Sequence, residues 1–228
     1  ALSAEDAHGY NVAVGYGALS VQNAGTNAYN VAVGYEAGVA VSTGAQNTLI
    51  GGQAGQSLTT GEKNVAIGKA ALSSEDTGDR NVAIGNGALQ TLNYDGSGYN
   101  VAVGYDAGVA MTTGVYNVLI GATAGDAITT AEKNIAIGYG ALGAEDTHGR
   151  NIAIGDSALL VLNAGAYGYN IAVGHEAGTA MTTGVQNTLM GGLAGDALTT
   201  GNYNIAIGHT ALSTEDTGNK SVAIGHQA

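Results

Sequence analysis

The sequence predicts an all-β protein, a parallel β-solenoid (β-roll) of about 13 coils, and three observations carry that prediction. A motif of the form Asn-Val-Ala-Val-Gly, first met at 11–15, returns thirteen times in a chain of 228 residues. Its leading residues run from Asn11, Asn30, Asn47 and Asn64 to Asn204 and Ser221, at spacings of 19, 17, 17 and 17 residues that repeat through the chain. A fixed period of this length is the mark of a stacked repeat architecture. The second observation is the alternation of large and small apolar residues inside each motif. The third is composition: 39 Gly, no Pro, Cys, Trp or Phe, and 11% charged residues, against about 25% in an average globular domain.

The repeats group into super-units 11–80, 81–150 and 151–220, each of 70 residues. Residues 1–10 match the ends of those super-units, as in ALGAEDTHGR at 141–150. The chain is therefore expected to be one repeat array over 1–228 with partial units at both ends, cut from something longer.

Each coil can be numbered from its leading Asn as position 0. Positions +1 and +3 hold Val, Ile, Thr or Met with a small residue between, which is the period-2 signal of a strand. One such strand cannot bury itself, so stacking in a parallel ladder is required. The expectation places +1 and +3 on one face, contributing a Val/Ile/Leu core, and +2 on the other. Position +4 is always Gly, from Gly15 to Gly225, which marks a corner needing positive φ or close backbone approach. The Asn at position 0 suits a stacked amide ladder at the strand entry. Thr at +13 in all nine complete 17-residue units, with Gly usually following, marks a second turn. Two short strands and two turns per coil are expected.

Bulky residues in the second half of the coil point to one interior. Position +8 runs Leu19, Gly38, Gly55, Leu72, and where it is Gly, +11 is bulky, as at Val41, Leu58, Met111 and Ile128. Trading volume between two positions is what close packing demands.

Composition removes several functions. Without Cys there is no disulfide framework, thiolate metal site or cysteine nucleophile. With 18 acidic and 6 basic residues, a net charge of −12, the chain makes a poor binder of a phosphate backbone. Gly, Asn or Thr interrupts every apolar run, so membrane insertion is not expected, and no secretory leader is evident. A hydrophobic content of 45% is too high for a solvated coil. No phosphate loop, nucleotide-binding glycine fingerprint or nucleophile elbow is present. The expectation is therefore no enzyme and no cofactor.

The repeat N-[VIT]-[AL]-[VIM]-G-x-x-A, with Thr-Gly before the next Asn, resembles the repeats of phage tail-fibre proteins. Runs such as NTLIGGLAGDALTTGNYNIAIG at 187–208 are similar to tail-fibre-like proteins of marine cyanophages. The core NVAIG, and KSVAIG at 220–225 most nearly, is similar to the head repeat of trimeric autotransporter adhesins of the YadA kind. The resemblance implies a homotrimer of β-rolls around a common axis with small residues facing that axis. Carried over, the +2 residues Ala13, Ala32, Ala66 and Ala83 become candidates for chain-to-chain packing. Leu49, Leu119 and Leu189 depart from that pattern, as do the 17- and 19-residue periods, which exceed those of the adhesin heads.

Four Glu-Asp pairs, at Glu5, Glu75, Glu145 and Glu215, read as solvated acidic turns rather than calcium sites, because they recur four coils apart. His8, His148, His175, His209 and His226 read as surface residues, with His209 and His226 at +5 of adjacent coils. Double Thr rows such as Thr112-Thr113, Thr129-Thr130 and Thr199-Thr200 raise an ice-binding alternative. Tyr29, Tyr94, Tyr99, Tyr167 and Tyr169 gather around the 19-residue units and form a candidate glycan contact. Asn219-Lys220-Ser221 reads as a chance glycosylation sequon.

The expected function is the shaft of an extracellular fibre, on a virion or a bacterial surface, that presents a receptor-binding tip. A glycan-binding module and an ice-binding solenoid are the alternatives. The expected partner is the chain itself, as a homotrimer, with a cell-surface glycan or receptor beyond it.

Overall fold

The computed structural model describes residues 1–4 and 9–228. The Glu5-Asp6 pair and His8 lie outside the described residues. The chain divides into two compact units, Ala1–Tyr116 and Asn117–Ala228. The first carries β1 (Val12–Val14), β2 (Val31–Val33), β3 (Thr48–Ile50), β4 (Val65–Ile67), β5 (Val82–Ile84) and β6 (Val101–Val103). The second carries β7 (Val118–Ile120), β8 (Ile135–Ile137), β9 (Ile152–Ile154), β10 (Ile171–Val173), β11 (Thr188–Met190), β12 (Ile205–Ile207) and β13 (Val222–Ile224). Within each unit every strand pairs in parallel with the next, +1 over +1, +2 over +2 and +3 over +3. This is the parallel β-solenoid that the repeat predicts.

Each coil contains one strand, not two. The opposite side, around +12, stacks through single backbone bonds such as Ser42 N–H to Thr59 O (2.9 Å) and Thr59 N–H to Asp76 O (2.7 Å). The buried glycine at +14 and the turn that follows leave too few consecutive extended residues there for a second ladder.

The interior is the reverse of the expected one. The +2 residues Ala32, Leu49, Ala66 and Ala83 have no exposed surface, whereas Val and Ile at +1 and +3 remain half-buried or exposed in every strand. A 17-residue coil is too narrow to admit two β-branched columns besides the residues of its far side. Its core is instead the +2 column, the +7 Ala column and whichever of +8 and +11 is large, as at Ala54, Leu58, Ala71 and Leu72. The Ala ladder therefore faces its own coil and is not available to another chain.

The same geometry explains Leu49, Leu119 and Leu189. A Cβ added to Gly38 or Gly55 at +8 would meet Leu49 Cδ atoms at 2.6 and 2.8 Å, and one at Gly125 would meet Leu119 at 2.8 Å. The +2 leucine of the third coil fills the space that Gly at +8 leaves open, so three positions share the volume rather than the expected two.

Two polar devices hold the coils. In each ordinary coil Asn at position 0 is buried and links in two directions. Asn30 Oδ1 accepts from Asn47 N–H at 2.8 Å, and Asn47 Nδ2 donates across the coil to Gly61 O at 2.9 Å. The amides thus bond to backbone, coil to coil and side to side, as well as forming a ladder. At +4 the backbone of one coil lies on the next. Gly51 has φ +133°, and a Cβ there would stand 2.5 Å from Gly68 O.

Candidate functional site

Burial alternates along the segment that enters each strand. Position −1 is mostly exposed, position 0 buried, +1 half-exposed, +2 buried and +3 half-exposed. The outer face of the sheet therefore carries four columns. Two Val/Ile columns run down its middle. A −1 column of Tyr, Lys, Arg and Gln borders one side, and a +5 column of Tyr, Lys, Asn, Asp and His borders the other. Ile171, Ile205 and Ile207 keep 37%, 38% and 37% of their surface open even between neighbouring rungs.

The −1 residues are all left-handed despite being non-glycine: Lys63 has φ +60°, Tyr99 +52° and Tyr116 +60°. This conformation costs about 1 kcal/mol relative to the right-handed regions. It aims successive side chains outward in register, where they stack. In the first unit Tyr10 lies on Tyr29 with centroids 5.3 Å apart, Tyr99 on Tyr116 at 5.4 Å, and Arg80 caps Tyr99 at 5.7 Å. On the +5 side Tyr16 stacks on Tyr35 at 5.6 Å. In the second unit His209 stacks on His226 at 5.4 Å, the neighbourhood their shared position implied.

The five tyrosines proposed for glycan contact do not form one cluster. Tyr29, Tyr99 and Tyr169 belong to the −1 column, and the first two stack on Tyr10 and Tyr116, which the sequence reading did not select. Tyr94 is half-buried in the insertion of its 19-residue coil. Only Tyr167 and Tyr169 meet, edge to face at 6.4 Å. Arg150 joins them, its guanidinium 3.9 Å from the Tyr167 centroid, with a hydrogen bond to the Tyr169 hydroxyl and another to Glu132 Oε1 at 3.3 Å. Lys133 and Arg150 hold the Glu132 carboxyl below the usual carboxylate range. The signal that was missed is periodic: Arg150 and Tyr169 share position −1 of successive coils.

The acidic turns are also corrected. Glu75 and Glu145 are wholly buried, at +11 inside the coil, and only their Asp partners reach the surface. Glu75 Oε1 accepts from Gly78 N–H at 2.7 Å and Asp76 N–H at 3.1 Å, and Oε2 accepts from Tyr94 N–H at 3.2 Å. Glu145 accepts from His148 N–H at 3.1 Å, from Asn151 Nδ2 at 3.4 Å, and from the backbone of Ala164. Burial pushes the carboxyl of Glu75 up and that of Glu145 to about 7, against the downward pull of those N–H groups. Glu145, Asp146 and His148 can bring ligand atoms within 4.8 Å of one another. The Glu145 oxygens, however, are already engaged by donors, which is the environment of a structural carboxylate.

The threonine rows are only half outward. The +12 hydroxyls bond along the coil axis, Thr59 Oγ1 to Asp76 O at 2.9 Å, Thr182 Oγ1 to Thr199 O at 3.2 Å and Thr199 Oγ1 to Asp216 O at 2.9 Å, although Thr112 and Thr182 are exposed beside their +13 neighbours. The Asn219 carboxamide accepts from Asn202 N–H at 2.8 Å. In comparisons with protein-family models, curated proteins and solved structures, nothing matches this chain.

Proposed function

We propose that this chain is a shaft segment of an extracellular fibre, on a virion or a bacterial surface, in which copies associate through the outer Val/Ile face of the sheet. The observation that carries this reading is the face itself. At about 4.8 Å per strand it runs about 24 Å along β1–β6 and about 29 Å along β7–β13. A contiguous apolar strip of that length in water marks an interaction surface rather than scattered exposure. Its central columns lack charge, and its borders carry Tyr and Arg, the side chains that interfaces favour. The acidic remainder of the surface opposes unspecific lateral association.

Three copies are the stoichiometry that the resemblance to trimeric adhesin heads favours, now with Val and Ile rather than Ala toward the axis. Light scattering is expected to give three times 22.4 kDa. Ile84→Lys together with Ile154→Lys is expected to give a folded species of one third that mass. A wild-type monomer that keeps its solenoid circular dichroism would refute the fibre reading.

A second reading has one observation in its favour. Tyr167 and Tyr169 are 45% and 49% exposed beside Arg150, an arrangement suited to stacking against a sugar. Glycan-array binding that disappears in Tyr167→Ala would support it. Ice binding lacks the flat double row of free hydroxyls that it requires.

A further inference from the structure

Position +11 is the far wall of the core, and apart from Gln22 in coil 11–29 and the acids that follow it is apolar and buried where described, as at Leu58, Leu92, Met111, Ile128 and Leu162. Two fully buried residues there are carboxyls, Glu75 and Glu145, and each belongs to the coil immediately before a 19-residue coil. The insertion turns a backbone N–H inward at +13, and in both places the carboxyl of the preceding coil receives it, from Tyr94 and from Ala164. Among the described residues the match between an interior acid and an inserted turn thus occurs once in each unit. Glu215 repeats the bond to its own turn, Gly218 N–H at 2.7 Å, but is only half-buried.

We propose that Glu75 and Glu145 are acid-linked joints: each buried carboxyl clasps the inserted coil above it through that inward N–H, and the two clasps make the array more stable in mildly acidic than in mildly alkaline solution. The surroundings offer little to hold a negative charge. Beside Glu75 the titratable group is Asp76, and beside Glu145 they are Asp146 and His148. The coils on either side present Leu58 and Leu92, or Ile128 and Leu162, at the same +11 place, with the uncharged backbone of Tyr94 or Ala164. Three donors partly replace water, yet burial outweighs them.

The direction of the pH effect follows. A carboxyl whose folded pKa lies above its unfolded value of 4.5 binds more protons when folded. Its contribution is fully present below about 4.5 and, for Glu145, is lost as the pH rises through about 7.

The test is carboxyl-carbon NMR of the full chain labelled at Glu, from pH 3 to 9. The expected result is one carbon with a midpoint near 7, missing in Glu145→Gln, and a second raised carbon missing in Glu75→Gln. Thermal melting adds an independent readout. The wild type is expected to melt higher at pH 5 than at pH 8, and the double Gln variant to lose most of that difference. Relief of the overall negative charge acts on both proteins and does not separate them. A Glu145 carbon that titrates near 4.5 overturns the proposal, as does a double variant with the wild-type pH dependence. If the variants do not fold, the wild-type midpoints decide: every Glu carbon near 4.5 sinks the idea.

Discussion

An ordinary coil, 47–63, and the coil that follows it, 64–80, share a backbone path but differ in one core residue. The first closes its interior with Leu58, the second with Glu75, and both side chains are fully buried. What differs is the coil above. At the strand end and corner coil 64–80 bonds alike to the 17-residue coil before it and the 19-residue coil after it, Gly68 N–H to Ile50 O and Gly85 N–H to Ile67 O, both at 2.7 Å. On its far side it meets the insertion at Tyr94, whose N–H has no ladder carbonyl to reach and bonds Glu75 instead. An irregular turn is thus accommodated by changing the chemistry of the wall beneath it. Buried backbone groups must be bonded, and a carboxylate is the strongest available acceptor.

Exchanging the two residues should break the comparison with the largest effect. In Leu58→Glu the acid enters a coil whose upper neighbour supplies no inserted N–H. A buried charge without its partners costs about 3–5 kcal/mol, and urea denaturation should report a loss of that order. Glu75→Leu leaves the N–H groups of Tyr94, Gly78 and Asp76 without their acceptor. Unmet donors cost about 1–3 kcal/mol each, but here the desolvated charge is removed as well. A net loss of about 2 kcal/mol is expected. Equal losses for the two variants would mean that the insertion and the acid are unrelated.

The next effect separates the two Glu-bearing coils from each other. Asn64 Nδ2 donates to Gly78 O at 2.8 Å, whereas the same position in the second unit is His148, and buried Asn134 Nδ2 has no hydrogen-bond partner among the described residues. Both amides still accept from the next Asn, Asn81 N–H at 2.9 Å and Asn151 N–H at 3.0 Å. Asn64→Ala should therefore cost about 2 kcal/mol and Asn134→Ala about 1 kcal/mol. Exchanging His148 for the Gly of the first unit, with Gly149 kept because a Cβ there would run into the Glu132 backbone, should add about 1 kcal/mol of stability, read from the denaturation midpoint.

Much of this was legible in the sequence. The invariant Gly15-to-Gly225 series, the Asn at position 0 and the spacing of 17 and 19 lead directly to parallel coils with a tight corner. The period-2 pattern could not decide which face was inside, because Ala at +2 and Val at +1 and +3 fit either assignment. Only the width of the closed coil decides it. Glu75 was unreadable for a related reason. Glu-Asp beside Thr-Gly looks like a solvated turn, and nothing local shows that the Tyr94 N–H, nineteen residues on, needs an acceptor. The glycan tyrosines were grouped by closeness in sequence, whereas the coil groups residues by register, so Tyr29 found Tyr10 and Tyr99 found Tyr116.

The smallest effect tests the outer border, where ordinary and Glu-bearing coils are alike. Lys63 at −1 is left-handed, with φ +60°, and its side chain is exposed. Asn tolerates that conformation better than Lys, and β-branched residues tolerate it worst. Lys63→Asn should gain about 0.5 kcal/mol, and Lys63→Val should lose about 1–2 kcal/mol although it adds apolar surface beside the Val/Ile columns. The pair is informative because packing and backbone strain predict opposite signs for Val. If Lys63→Val proved neutral or stabilising by thermal denaturation, the −1 column would be governed by contacts across the outer face. A loss would show that the backbone sets that column, and that the stacking of Tyr99 on Tyr116 follows from a conformation the coil imposes on every rung.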